Sequence, residues 1–265
     1  MVKLGVKRFY VRDDLGKDFD LIGAEHNHLA NVLRTRHGET VIICCGDEFD
    51  YHYKADKITK HASHMKFISK EPNTKNPKVS LTVYLALIRA EKLSQVIAHL
   101  NEIGVSDLVL FSAEYSNISP KVIGVNRLNV IAEQSCKQCG RSKPMRIRYT
   151  ADTLDFELID LPCVLFADEK LRGEETTPAD IKKIIENMPK MDEHAKSSIY
   201  SQNKNIPTAP AILIGPEGGF SPAEHDMLCS MRDIIPISMG ARILRAETAA
   251  MVLSARVMAA YGELG

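Results

Sequence analysis

Ile212-Leu213-Ile214-Gly215-Pro216-Glu217-Gly218-Gly219-Phe220-Ser221-Pro222-Ala223-Glu224 is the stretch on which the reading of this chain turns. Ala211 to Ile214 is a short apolar run that stops abruptly at glycine, the pattern of a buried strand. Gly215, Gly218 and Gly219 permit positive φ and leave room for a ligand to approach the main chain. Ser221, with Pro222 at the first helical position and Glu224 three residues on, is a capping-box start. The loop therefore joins a strand's carboxyl end to a helix's amino end, which is where open α/β sheets bind ligands.

A second loop follows one strand later. Ile234 to Ile237 reads as a strand, and Ser238-Met239-Gly240-Ala241-Arg242-Ile243-Leu244-Arg245 leads into a long alanine-rich helix. Spacing places Leu244, Thr248, Met251, Val252, Ala255 and Ala259 on one helix face. Arg245 and Glu247 fall at the first turn, near free amide groups. Neither loop has the Gly-Lys-Ser/Thr of a nucleotide-phosphate loop or the Gly-x-Gly-x-x-Gly of a dinucleotide turn.

Outward from these loops, the chain reads as two domains. Residues 1–71 look like a small β-rich domain: strands at Arg8–Val11, Glu39–Cys45, Phe49–Lys57 and Met65–Ser69, with a helix over Glu25–Arg34 whose apolar face is Leu29, Val32 and Leu33. Residues 72–78, polar and proline-containing, read as a linker. Over 79–265 strands alternate with helices, which signals a mainly parallel sheet with covering helices. Its elements are a strand at Val79–Ile88, a helix at Ala90–Ile103 closed by Gly104, a strand at Leu108–Phe111, a helix at Val125–Gln138, a strand at Cys163–Ala167 and a helix at Pro178–Met188. Met188–Pro210 is polar enough to be a surface loop.

The 265 residues carry 34 basic and 34 acidic side chains. Charge is nevertheless segregated: residues 121–150 are net +6 and 152–194 net −7. A concentrated basic segment can meet phosphates even on a neutral protein, although a solvated helix face gives the same pattern. The longest apolar run has about ten residues against the roughly 20 that span a bilayer, and the amino terminus has no signal-peptide core, so a cytoplasmic protein is expected. Cys136-Lys-Gln-Cys139 lacks a second pair at zinc-site spacing, and His52, His61 and His64 are not on one helix face; no metal is implied.

The two loops together resemble the signature of the SPOUT superfamily of S-adenosylmethionine-dependent RNA methyltransferases. Gly215-Pro216-Glu217-Gly218-Gly219 and Arg242-Ile243-Leu244-Arg245-Ala246-Glu247-Thr248-Ala249 are similar to those of the family that methylates uracil N3 in 16S RNA of the small ribosomal subunit. Further similarities are Arg89-Ala90-Glu91-Lys92, Glu102-Ile103-Gly104-Val105, Ser112-Ala113-Glu114 and Gln138-Cys139-Gly140-Arg141, while His99, Tyr115 and Ala90 depart from the family's usual lysine, arginine and glycine. The resemblance implies an α/β fold with a mainly parallel SPOUT-type sheet and a carboxyl-terminal trefoil knot, preceded by a PUA-like β-barrel that binds RNA.

It also implies a homodimer that acts on ribosomal RNA, as naked RNA or in the assembled small subunit. In that fold Leu213, Ile214, Gly215, Pro216, Gly218, Gly219, Met239, Gly240, Ile243 and Leu244 would hold the cofactor. Arg245 would steady charge on the base, with Glu247 or Glu217 accepting the proton. Arg8, Arg34, Arg36, Arg89, Lys137, Arg141 and Arg242 are the candidates for RNA contacts. Two readings stay open beside this one: the same chemistry on a transfer-RNA base or ribose, and a non-catalytic RNA-binding protein of the same fold.

Overall fold

Two hydrophobic periodicities, one of alternation and one of continuous apolar strands, separate the chain into two sheets. A computed structural model describes residues 6–12, 15–116, 118, 124–150, 161–171, 177–188 and 209–265. The chain divides into two compact units, residues 1–76 with 133–144 and residues 77–132 with 145–265.

In the first unit β1 (Arg8–Tyr10), β2 (Phe19–Ile22), β3 (Thr40–Cys44), β4 (Phe49–Ile58) and β5 (Ala62–Pro72) form a mixed sheet in the order β1-β3-β4-β5-β2. β1 and β3 run parallel; the other pairs are antiparallel. Phe9, Val41, Ile43, Tyr51, Tyr53, Ala55 and Met65 make the core, so alternate residues of β4 face inward as the pleat requires. β2 escaped the sequence reading because Leu21 is its one buried residue. β5 continues through Glu71 and Pro72, where the sequence suggested a linker; Pro72 sits at the strand's end, where no ladder donor is needed.

The helix expected over Glu25–Arg34 is two pieces. α1 (Gly23–Asn27) passes into a π-helical turn over His28–Val32, and Arg34 follows at φ +48°. The wider turn changes the phase of the apolar face: Leu29 is buried, whereas Val32, expected beside it, is 62% exposed.

Residues 133–144 are fastened to this sheet by side chains that sequence proximity would not pair. Lys137 Nζ meets Glu25 Oε1 at 2.6 Å, Arg12 meets Glu133 at 2.7 Å, and Lys143 meets Glu48 at 2.9 Å. The Ser142 hydroxyl donates to the Asp47 carbonyl at 2.7 Å. Arg8 grips Asp50 with both terminal nitrogens, at 2.8 and 2.7 Å, and Asn73 donates to the same carboxylate. Burial favours the protonated acid, but the hydrogen bonds from Arg8 and Asn73 outweigh it and hold the Asp50 carboxyl below its ordinary value.

The second unit holds β6 (Thr82–Ala86), β7 (Asp107–Phe111), β8 (Arg146–Tyr149), β9 (Val164–Ala167), β10 (Ala211–Ile214) and β11 (Ile234–Ile237), in the order β11-β9-β10-β6-β7-β8. All five pairings are parallel, as the strand-helix alternation implied. β6 and β10 are buried at every residue, which explains their unbroken apolar character. β8 was not anticipated: it is an edge strand with arginines on either side of Ile147.

α2 (Ala90–Ile103) buries Leu93, Val96, Ile97 and Leu100 and ends at Gly104, φ +105°, as its spacing indicated. α3 (Val125–Cys139) contributes residues to both units; α4 (Pro178–Glu186) and α5 (Pro222–Ser230) begin with capping boxes at Thr177/Asp180 and Ser221/Glu224. In α6 (Ala246–Ala260) the buried face is Ala246, Ala249, Ala250, Leu253 and Val257, not the expected one; Val252 is 39% exposed and Ala259 lies at the surface. The helix is apolar nearly all round, so periodicity could not fix its phase.

The surface loop expected over Met188–Pro210 lies, at residues 189–208, outside the described residues, as does much of the acidic stretch. Among the described residues no helix is long and apolar enough to cross a membrane.

Arg8→Met should cost about 3 kcal/mol, because it strands a buried carboxylate. Asp50 is depressed in the folded state, so its contribution is present above its unfolded value and lost as pH falls through the folded one. The gap in unfolding free energy between wild type and variant should accordingly narrow below about pH 4. Denaturant titrations at pH 7 and pH 3 measure this, and a pH-independent gap would contradict it.

Candidate active site

Parallel pairing of β9 with both β10 and β11 puts three strand ends side by side, and the loops leaving them enclose a cavity of about 440 Å³. That size suits a small-molecule site. Ile214, Gly215, Pro216, Glu217 and Gly219 line it from the first loop; Ile243, Leu244 and Arg245 line it from the second. Met239, Gly240 and Arg242 line an adjoining recess that shares Asp168, Ile243 and Leu244 with the cavity. The two glycine loops thus face one region.

The glycines are there for space. A Cβ on Gly215 would stand 2.8 Å from the Phe220 ring, and that ring is fixed by stacking on Phe111 and by an edge contact with Phe166 at 5.4 Å. Gly219 has φ +72°, and a Cβ there would meet Glu169 Oε1 at 2.8 Å. Its amide donates to the Pro216 carbonyl, closing the turn. Gly240, φ +94°, donates to Ser238 Oγ at 3.2 Å. At Gly240 a Cβ would meet nothing within 4 Å, so the second turn is open there.

Two long ion pairs involve residues of the cavity wall. Arg89 Nε lies 4.0 Å from Glu217 Oε2, and Lys92 Nζ lies 3.6 Å from Glu247 Oε1. Glu247 is buried, and its Oε2 has no hydrogen-bond partner among the described residues. It does not line the cavity, but it follows directly on Arg245 and Ala246, which do.

The third strand end was missed. Phe166, Ala167, Asp168, Glu169 and Lys170, at and beyond the end of β9, line the cavity, as does His225 of α5. Asp168 is buried and its Oδ2 meets His225 Nε2 at 3.0 Å. The sequence held part of the signal, since a strand in a parallel sheet delivers its carboxyl end to the same side as the others; that β9 adjoins β10 and β11 came only from the sheet order.

Other expected residues stand elsewhere. The Leu213 side chain is fully buried in the sheet's core, so only its main chain is a candidate for ligand contact. Gly218 abuts Tyr115, 3.1 Å from where a Cβ would be. Of the expected RNA contacts, Arg8 and Lys137 are engaged by Asp50 and Glu25, and Arg141 is buried. Arg34, Arg36, Arg89 and Arg242 are exposed. The basic segment is further neutralised by Lys143–Glu48 and by Arg146, which meets Asp107 at 2.7 Å. Counting charge in a sequence window overlooked carboxylates supplied from outside it.

The sequence profile of the RNA methyltransferase domain family matches residues 74–258. Among curated proteins, ribosomal RNA small subunit methyltransferase E of Rickettsia conorii is 25% identical over 255 residues, covering 94% of each chain. The Bacillus subtilis protein of the same name is 27% identical over 240 residues, covering 87% of this chain and 86% of its own. A solved ribosomal RNA small subunit methyltransferase E from Neisseria gonorrhoeae, bound to S-adenosyl methionine, superposes with a TM-score of 0.70 over 96% of this chain and 97% of that one, at 18% identity. That likeness is one of fold.

Gly215→Ala should cost about 1–3 kcal/mol, since the Phe220 ring cannot withdraw without disturbing its aromatic neighbours. Thermal unfolding followed by circular dichroism checks this; a melting temperature equal to that of the wild type would contradict the packing described.

Proposed function

Because the chain belongs to the RNA methyltransferase domain family, we propose that it uses S-adenosylmethionine to methylate N3 of a uridine in the 16S RNA of the small ribosomal subunit. The observation that carries this reading is the opening of two glycine turns, after β10 and β11, onto one cavity region at adjacent parallel strand ends. The names of the Rickettsia and Bacillus relatives support the target, and the cofactor in the Neisseria protein supports the donor. Main-chain groups of Leu213, Ile214, Gly215, Pro216, Gly218, Gly219, Met239 and Gly240 would hold that cofactor, with Ile243 and Leu244 supplying apolar contact. Apolar Ile214, Phe166 and Leu244 in the cavity wall suit an adenosyl group.

S-Adenosylmethionine, when bound, supplies a methyl group activated by its sulfonium. Uracil N3 carries a proton near neutral pH, so the protein must accept that proton or stabilise the anion that develops. Arg245, exposed at the cavity and at the amino end of α6, supplies a fixed positive charge for the base's carbonyl oxygens. Glu247, paired with Lys92 and buried behind the cavity wall, is a candidate proton acceptor only if its side chain turns its unpartnered oxygen toward the cavity. Glu217, at the cavity wall, is the second acceptor. Orientation of donor and acceptor accounts for much of the acceleration.

Arg34, Arg36, Arg89 and Arg242 would meet phosphates, and the β-rich unit, read as PUA-like, would bind RNA. The same proposal includes a SPOUT trefoil knot in the second unit, a homodimer, the assembled small subunit as a partner, and a cytoplasmic location.

Incubation with labelled donor and small ribosomal subunits from bacteria lacking this activity should yield 3-methyluridine on nucleoside analysis. Arg245→Ala should bind donor as the wild type does and lose about 10²–10³-fold in transfer rate. Label at a ribose, or undiminished transfer by the variant, would contradict the proposal.

A further inference from the structure

Beside the cofactor cavity stands a group of side chains that methyl transfer does not use. His225 and Cys229 lie four residues apart on α5, so they share a helix face, and the end of β9 brings Asp168 against them. Asp168 Oδ2 is 3.0 Å from His225 Nε2, Cys229 Sγ is 3.8 Å from the same nitrogen, and the three ligand atoms all lie within 4.8 Å of one another.

Tetrahedral zinc, with bonds of about 2.0–2.1 Å to nitrogen or oxygen and about 2.3 Å to sulfur, sets nitrogen and oxygen ligands about 3.3 Å apart and nitrogen and sulfur about 3.6 Å apart. The nitrogen–oxygen and nitrogen–sulfur spacings differ from these by a few tenths of an ångström; closing on an ion also requires the Cys229 sulfur, which stands equally near Nδ1 at 3.7 Å, to turn toward Nε2 and Asp168.

We propose that Asp168, His225 and Cys229 form a binding site for a borderline-soft divalent cation of the zinc class. Thiolate and imidazole favour zinc over magnesium or calcium, and the carboxylate and thiolate together offset the cation's charge. One ligand is already oriented: Asp168 Oδ1 accepts from the Lys170 amide at 2.9 Å, leaving Oδ2 for the metal.

The buried carboxylate anchors the site to the sheet, while the exposed Cys229 gives the ion an entry path. Asp168 and His225 also line the cavity, so an ion held by them would stand at its edge. A bound ion would tie α5 to the end of β9. Sequence alone could not indicate the site: His-x-x-x-Cys is common, and the carboxylate comes from 57 residues away.

The test uses the full chain, stripped with a chelator and titrated with zinc against a chromophoric competitor, and separately loaded with cobalt(II). Wild type should take up a single equivalent and show a sulfur-to-cobalt charge-transfer band. Since loss of an outer partner alone costs about 10–100-fold, Cys229→Ser should weaken zinc binding by more than about 100-fold and abolish the band. His225→Ala should weaken it similarly.

Cys229 is exposed, so its serine variant should melt with the wild type in the absence of metal; Cys136→Ser/Cys139→Ser should bind zinc normally. Failure of the wild type to bind, or binding that survives Cys229→Ser and disappears with the Cys136/Cys139 variant, would overturn the assignment. Neither readout depends on methyl transfer.

Discussion

Parallel pairing of β9 with its two neighbours is the constraint from which the site follows. Parallel strands begin at one end of a sheet and finish at the other, so the three chain exits leave together. Each exit then has to turn into its following segment within a few residues. Glycines supply those turns: Gly215 and Gly219 let Phe220 and Glu169 pack close to the main chain, and Gly240 takes a positive φ in open space. The aromatic trio of Phe111, Phe166 and Phe220 makes the first turn rigid, because Phe220 is held between rings from two strands. A site so constructed is preformed, which lowers the ordering cost of binding.

Charge in this protein is organised by pairing across sequence distance. The basic run after residue 121 suggested a phosphate-binding face, yet Lys137, Lys143 and Arg146 each have a carboxylate partner brought from elsewhere in the fold. These pairs fasten residues 133–144 to the mixed sheet and β8 to β7. Around the cavity the pairs are looser: Arg89 and Glu217 stand 4.0 Å apart, and Lys92 and Glu247 stand 3.6 Å apart. Pairs this long and open to solvent at the cation contribute little to stability, whereas Arg8 and Asp50, bidentate and nearly buried, serve the fold.

Much of this was legible in the sequence, for definite reasons. β10, β11 and α2 appeared at the predicted residues because glycine or a helix cap closes each one. The capping box at Ser221 is a local hydrogen-bond pattern and needs no tertiary information. What failed depended on distant partners or on weak phase. α6 is apolar on nearly every side, so its buried face was set by packing on α2 and not by its own pattern. The π-helical turn moved Val32 outward. β2 and β8 are four-residue edge strands, each with a single buried residue. Asp168 and His225 became site residues only when the sheet order was known.

The central claim is that both glycine turns close on the same methyl donor. Calorimetric titration of S-adenosylmethionine into the wild type, Gly219→Val and Gly240→Val measures it directly, since each variant places a branched side chain at a positive φ in a different turn. Saturable single-site binding by the wild type, weakened in both variants while each still unfolds cooperatively, is the predicted result. No binding by the wild type, or sensitivity to only one of the two turns, would contradict it.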